Sequence, residues 1–208
     1  MASLFITFEG QEGAGKSTQS KMLYDFLLSR GADVVLTREP GGTKIAEKIR
    51  HILKDRENDA IAKQTEALLY VAARAQLVEE VIAPRLAAGG IVLCDRFMDS
   101  TIAYQGFGNG IDIEHLTTIS NFAARGLVPD LTFLLIVEPE VGLARKAAYK
   151  ELDRIEAKAI DYHARVKKGY EHLAAKHPGR IAAIDGGLGV EDIHGIIKGR
   201  VAELLGCE

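Results

Sequence analysis

Cysteine is scarce in this chain. Its 208 residues include two, Cys94 and Cys207, a poor basis for a disulfide framework, so a reduced, cytoplasmic setting is expected. No apolar run reaches the roughly 18 residues of a membrane-spanning helix, so no membrane partner is expected. Residues 1–8 read as part of a strand rather than as a charged-then-apolar leader. Basic stripes are also missing. The formal charge is −3, and sequence-independent binding of nucleic acid has little support. The six histidines lack the spacing of zinc ligands. There is no internal repeat, low-complexity tract or linker. What is left is a length that suits one well-buried α/β core and is short for two domains.

One motif is present in full. Gly10-Gln11-Glu12-Gly13-Ala14-Gly15-Lys16-Ser17 fits the G-x-x-x-x-G-K-[ST] phosphate loop without a mismatch. The apolar run Leu4-Phe5-Ile6-Thr7-Phe8 precedes it, and Thr18 to Arg30 comes after it with helical spacing of Met22, Leu23, Phe26 and Leu27. Strand, glycine loop and helix together turn the pattern into a site. The glycines let backbone N–H groups wrap an anion, and the helix N-terminus adds its dipole. Lys16 is placed to reach the β- and γ-phosphates, and the Ser17 hydroxyl to meet Mg²⁺.

Short apolar runs alternate with long amphipathic ones. Strands are expected at 3–9, 33–37, 91–95, 131–137 and 180–185. Helices are expected at 16–30, 43–54, 64–88, 112–126, 139–150, 158–176 and 189–205. This alternation predicts an α/β protein with a parallel five-stranded sheet and helices on both faces. Ligands of such sheets bind beyond the carboxyl ends of the strands. The first strand ends in Glu9 and the phosphate loop, the second in Arg38-Glu39-Pro40-Gly41-Gly42, and the third in Asp95-Arg96-Phe97. Charges and glycines therefore collect at one edge.

Asp95 is a candidate to order Mg²⁺, directly or through water; a plain turn-capping carboxylate is the other reading. Arg96 suits a phosphate or an ion pair with an acid. The helix expected at 64–88 is apolar on more than one side, which predicts cover on more than one side. Arg74 interrupts it, and a buried guanidinium requires partners. Tyr70 lies four residues before it on the same face. The pair suits a nucleobase, stacked on one residue and hydrogen-bonded to the other, and equally suits a pair satisfied within the core. Residues 99–106 read as a short polar helix or turn that could form a wall of the same cleft. Residues 144–158 carry many charges and few large apolar side chains. Charge alone favours a solvated helix laced with ion pairs, and the competing reading is a flap that brings cations over a phosphate.

Taken in order, Glu9-Gly10 with the phosphate loop, Thr37-Arg38-Glu39-Pro40-Gly41-Gly42-Thr43, Tyr70 with Ala72-Ala73-Arg74, Asp95-Arg96-Phe97, Ser100-Thr101 with Ala103-Tyr104-Gln105-Gly106, Pro129-Asp130-Leu131 and Leu152-Asp153-Arg154-Ile155-Glu156 resemble the bacterial thymidylate kinases. The resemblance runs from about residue 4 to 203. It implies a P-loop NTPase-type fold, a single nucleoside monophosphate kinase domain over 1–208 with a short lid at about 144–157. It also implies transfer from ATP to dTMP with Mg²⁺, and a homodimer. On this resemblance residues 10–18, through Thr18, hold ATP, with Ser17 and Asp95 at the metal. Glu9 meets the deoxyribose 3′-OH or the metal's waters. Arg38 and Arg96 grip the acceptor phosphate, with Glu39 and Pro40 beside them. Tyr70 stacks on thymine, Arg74 bonds its O4, Ser100 and Gln105 read the base edge, and Tyr104 presses on C2′. Lys16, Arg96, Arg145 and Arg154 are the expected catalytic cations, with Lys150 a lesser one. The chain departs from relatives at Ile136, where many carry aspartate, and at Ala147, Ala148, Tyr149 and Lys150, where arginines are common. Two other readings compete: a kinase for another nucleotide, and a nucleotide-dependent switch. A switch would not need a second small-molecule site.

Overall fold

The computed structural model describes residues 3–149 and 151–206. Lys150 and Cys207 lie outside these residues. Five strands form one parallel sheet in the order β2-β3-β1-β4-β5: β1 (Leu4–Gly10), β2 (Val34–Arg38), β3 (Ile91–Asp95), β4 (Leu131–Ile136) and β5 (Ile181–Asp185). Each matches an expected strand to within a residue. β1 is central and buried along its whole length, as a strand covered on both faces must be. Its period of two divides the core. Leu4, Ile6 and Phe8 face one layer with Leu23, Leu27, Ile193 and Ile197. Phe5 faces the other, with Leu77, Ile82 and Phe97. The buried Thr7 and Thr132 hydroxyls of β1 and β4 satisfy one another at 2.8 Å.

The helices, in chain order, are α1 (Lys16–Ser29), α2 (Lys44–Lys54), α3 (Lys63–Leu77), α4 (Ala83–Ala87), α5 (Met98–Thr101), α6 (Ile113–Ala123), α7 (Pro139–Ala147), α8 (Ile160–Lys176) and α9 (Val190–Leu205). The expected helix 64–88 is continuous in space. It widens into a π-type stretch at Val78–Ile82 before Pro84 enters α4. A second π-type stretch, Ile102–Gly108, extends α5 and is almost wholly buried against α8. Of the short polar helix or turn expected at 99–106, the helix is what forms, and it is largely buried. Its glycines and polar residues hide the apolar periodicity that would have revealed it.

Among the described residues, 144–158 do not form the solvated helix that charge alone favours. α7 stops at Ala147. Further on, Ile155 and Glu156 are buried. Asp153 Oδ1 accepts from the N–H groups of Ile155 and Glu156 at 3.0 Å, and Glu156 Oε2 accepts from Asp153 N at 3.0 Å. These local bonds compete with helix. No helix among the described residues is long and apolar enough to cross a membrane.

Candidate functional site

The carboxyl ends of β1, β2 and β3 open into one cleft of about 590 Å³. It is lined by Glu12 through Gln19, by Arg38, Glu39 and Pro40, by Tyr70 and Arg74, by Asp95, Arg96, Ser100, Tyr104 and Gln105, and by Arg145. The expected edge is therefore assembled. Its floor is the phosphate loop, which needs its glycines. A Cβ on Gly10 would lie 2.1 Å from the Leu135 carbonyl oxygen, and one on Gly13 2.1 Å from that of Gly142 on α7. The loop thus lies directly against the helix that leads into residues 144–158.

Lys16 is buried, and its Nζ donates to the Gln11 carbonyl at 2.6 Å. Burial, with Arg96 adding repulsion, brings its pKa down to about 8 against the pull of Glu12 and Asp95. Ser17 Oγ donates to Asp95 Oδ2 at 2.5 Å. Among the described residues no cluster of His, Cys, Asp or Glu is dense enough to cage a metal ion. A hydroxyl and one carboxylate beside a phosphate loop instead fit Mg²⁺, which takes hard oxygen ligands largely from phosphates and water.

Arg96 organises the middle of the cleft. Its backbone has φ 74°, a conformation uncommon outside glycine. Its guanidinium donates to Glu12 Oε2 at 2.7 Å, the Gly10 carbonyl at 2.9 Å, Tyr170 Oη at 3.1 Å and Ser100 Oγ at 3.2 Å, and it lies 4.9 Å from the Tyr104 ring centroid. Glu12 also accepts from the Tyr104 hydroxyl. Burial would raise the Glu12 pKa, but Arg96 and then Lys16 outweigh it and hold it at about 2. This loop residue is therefore an anion that ties the phosphate loop to Arg96.

Glu9 lies behind the cleft wall. It accepts from Phe97 N at 2.7 Å, Ser100 Oγ at 2.6 Å and Tyr170 Oη at 2.8 Å. Burial, reinforced by Asp99, raises its pKa to about 7 despite Arg96. Glu9, Gly10 and Gln11 do not line the open cleft; the residues bonded to Glu9 stand between it and the cleft, where the sugar 3′-OH or the metal's waters are expected to meet it.

Arg74 is 1% exposed and nearly saturated. Nε and Nη2 meet Glu39 at 2.6–3.0 Å, Nη2 also meets Thr101 Oγ1 at 2.9 Å, and Nη1 meets Ser120 Oγ at 3.2 Å. Tyr70 and Arg74 admit two readings, a base site and a pair satisfied within the core. Arg74 is satisfied in the core, yet one Nη1–H of its five donors has no partner among the described residues, and Arg74 lines the cleft. Tyr70 lines the same wall, half-buried.

The cations of residues 144–158 separate. Arg145 Nη1 rests on the carbonyls of Gly186 at 3.0 Å and Gly13 at 3.5 Å, at the end of the cleft lined by Leu188, Val190 and Tyr149. Arg154 does not reach the cleft. Its side chain is 8% exposed, pairs with Glu66 Oε2 at 2.8 Å and donates to the Leu53 carbonyl at 2.9 Å. This departs from its expected place over a migrating phosphoryl group: the nearest buried carboxylate takes the guanidinium.

Residues that sequence reasoning passed over complete the site. Arg50 Nη1 donates to the Pro40 carbonyl at 2.7 Å, and Lys54 pairs with Asp153 at 2.7 Å; all four line the cleft. Arg38 pairs with Glu47 at 2.8 Å. Arg50 and Lys54 read as the polar face of an amphipathic helix, and Tyr170 as one more apolar position of α8. Only packing reveals that they converge.

A sequence profile of the thymidylate kinase family matches residues 8–197. A thymidylate kinase of Roseiflexus castenholzii is 48% identical over 202 residues, covering 91% of this chain and 88% of that protein. One of Dehalococcoides mccartyi is 46% identical over 205 residues, covering 99% and 98%. The crystal structure of the thymidylate kinase from Ehrlichia chaffeensis superposes with a TM-score of 0.80 at 33% identity, over 97% of this chain and 99% of that one. The chain belongs to the thymidylate kinase family.

Proposed function

We propose that the chain transfers the γ-phosphoryl group of ATP to the 5′-phosphate of dTMP, giving ADP and dTDP. Phosphoryl transfer asks mainly for alignment and charge neutralisation. The acceptor oxygen is already an anion, so no general base is required. The loop amides and Lys16 hold the donor phosphates. Mg²⁺, carried by Ser17 and Asp95 with the phosphates, would neutralise charge on the migrating group. Arg96, with Arg38 and Arg50, faces the acceptor phosphate. Arg145 sits at the donor base end. The observation that carries the acceptor assignment is the wall formed by Tyr70, Arg74 and Gln105. It supplies an aromatic face, one spare N–H donor and one spare carbonyl acceptor, the complement of the O4 and N3–H edge of thymine. On this reading residues 1–208 are one nucleoside monophosphate kinase domain, with 144–157 as its lid, working in the cytoplasm.

The same reading includes a homodimer. The chain's own α2 and α6 cover much of α3, so its apolar breadth is partly explained within one copy. Leu68 on α3 and Phe122 on α6 nevertheless remain 57% and 85% exposed, on two helices that pack together, and an isologous contact would cover both. Sedimentation at micromolar concentration tests it, and a monomer refutes it.

A coupled assay of ADP release with Mg²⁺ and a panel of monophosphates tests the activity. dTMP should be the best acceptor. dUMP should be slower by the roughly 1–3 kcal/mol that a methyl is worth in an apolar pocket, and purines close to inactive. Preference for dCMP or dGMP would overturn the assignment. Tight ATP binding with no turnover of any monophosphate would favour the switch.

A further inference from the structure

Glu66 lies in the first turn of α3, one helical turn before Tyr70. Its carboxylate is buried and receives four donors. Asn109 Nδ2 and Gln105 Nε2 reach Oε1 at 2.8 and 3.2 Å. Arg154 and Lys158 reach Oε2 at 2.8 and 3.4 Å. Burial raises its pKa, but Lys158 and its other donors prevail and hold it below the ordinary value, so Glu66 is an ionised acceptor. An ionised carboxylate cannot donate. The amide of Gln105 therefore has one orientation available, with nitrogen toward Glu66 and the carbonyl oxygen away from it. That oxygen has no partner among the described residues, and Gln105 lines the cleft.

We propose that Glu66 is a specificity-positioning residue, which turns the Gln105 amide so that the acceptor pocket offers a carbonyl to a pyrimidine N3–H. The inference rests on the kinase reading above. Thymine and uracil carry a donor at N3 and an acceptor at position 4; cytosine carries the reverse. With the Gln105 carbonyl and the spare Arg74 N–H both fixed, the wall matches the first pattern and opposes the second. Without an ionised residue at 66, Gln105 is free to turn over, and the pocket loses its rejection of cytosine. A mismatch of this kind leaves polar groups unpaired, which is how a hydrogen-bonding site rejects near-isosteres. Glu66 touches no substrate and acts through Gln105. Its other oxygen engages Arg154 and Lys158, so the same side chain anchors residues 151–158.

The test is the ratio of kcat/KM for dTMP to that for dCMP, measured on the full chain and three variants. The parent's turnover of dTMP is measured first; its absence would take down the kinase reading itself, an outcome separate from any change in the ratio. Glu66→Gln should lower the ratio at least about tenfold, chiefly through a higher KM for dTMP. Glu66→Asp keeps the charge for Arg154 but withdraws the acceptor from Gln105. It should lower the ratio as well, and it covers the case in which Glu66→Gln fails to fold. Arg154→Ala should slow both substrates together and leave the ratio at the parent value. A parental ratio in either folded Glu66 variant overturns the proposal. So does an equal fall of the ratio in Arg154→Ala, which would assign the effect to the anchored segment rather than to the amide.

Discussion

The two ends of the cleft are built differently. The acceptor end is made of buried and half-buried side chains that are already paired: Arg74 with Glu39, Arg96 with Glu12, and Glu9 with Ser100 and Tyr170. The donor end is made of loop backbone, the buried Lys16 and, around them, side chains that stay in water, with Tyr149 90% exposed and Leu188 and Val190 about half exposed. Arg145 there rests on two carbonyls and pairs with no carboxylate among the described residues. Paired, buried groups keep their geometry before a ligand arrives, and such pre-organisation favours selectivity. Backbone amides hold any triphosphate. The contrast assigns discrimination to the acceptor end and affinity for phosphate to the donor end.

Breaking the shared centre should cost most. Arg96→Ala removes the cation common to both halves and leaves the half-buried Glu12 beside an emptied site. A fall in kcat/KM for dTMP of about 10³ or more is expected, read by steady-state kinetics, and a fall below tenfold would remove Arg96 from the reacting phosphates.

The next contrast lies within the acceptor wall. Arg74→Ala strands the Glu39 carboxylate, and breaking such a buried pair costs about 3–5 kcal/mol. Thermal denaturation should show it as a large drop in Tm along with lost activity. Tyr70→Ala should keep Tm near the parent and raise the KM for dTMP, while Tyr70→Phe, which retains the stacking face, should stay close to the parent. Equal Tm losses in Arg74→Ala and Tyr70→Ala would contradict this division.

The two arginines that flank residues 146–153 should also part company. Arg154→Ala leaves Glu66 with Lys158 as its one remaining cation among the described residues, so Tm should fall together with kcat. Arg145→Ala, at an exposed position, should leave Tm alone and weaken ATP, seen as a higher KM for ATP. Matching phenotypes would mean that both serve one role.

The smallest effect concerns pH. Burial pushes Glu9 from 4.5 to about 7, so the folded chain holds that proton more tightly than the unfolded one. Its contribution to stability is present below about pH 4.5 and is lost as pH rises through 7. Glu12, held at about 2, works the other way: its contribution is present above about 4.5 and fades as pH falls toward 2. Glu9→Gln mimics the protonated acid and should flatten the dependence of Tm on pH between about 5 and 7, at roughly 2–4 °C per kcal/mol. An unchanged pH profile would show that Glu9 does not titrate there.

Legibility in the sequence obeys the same contrast. The phosphate loop and the five strands are readable because local order carries them: glycine spacing, an apolar run, a helix start. The collection of charge at the ends of β1, β2 and β3 comes from the sheet alone. Two things are not readable. The stretch from Met98 to Gly108 is core, but its polar letters conceal that. The fate of each arginine is also hidden, because residues distant in the chain decide it. Arg154 goes to Glu66, 88 positions away, and Arg145 goes to Gly186. Arg50 and Lys54 look like surface charges until the cis Glu39–Pro40 turn and Asp153 meet them. Charge in a sequence tells where cations are available, and packing decides which of them are already spent.

The most direct test of a pre-formed acceptor end is calorimetric titration of dTMP into the protein, with and without a non-hydrolysable ATP analogue and Mg²⁺, and with dCMP as the control. The account predicts that dTMP binds the nucleotide-free protein, that the analogue changes its Kd by less than about threefold because little ordering remains to be done, and that dCMP is rejected under both conditions. Binding of dTMP that appears only once the analogue is present, or dCMP bound as tightly as dTMP, would contradict it.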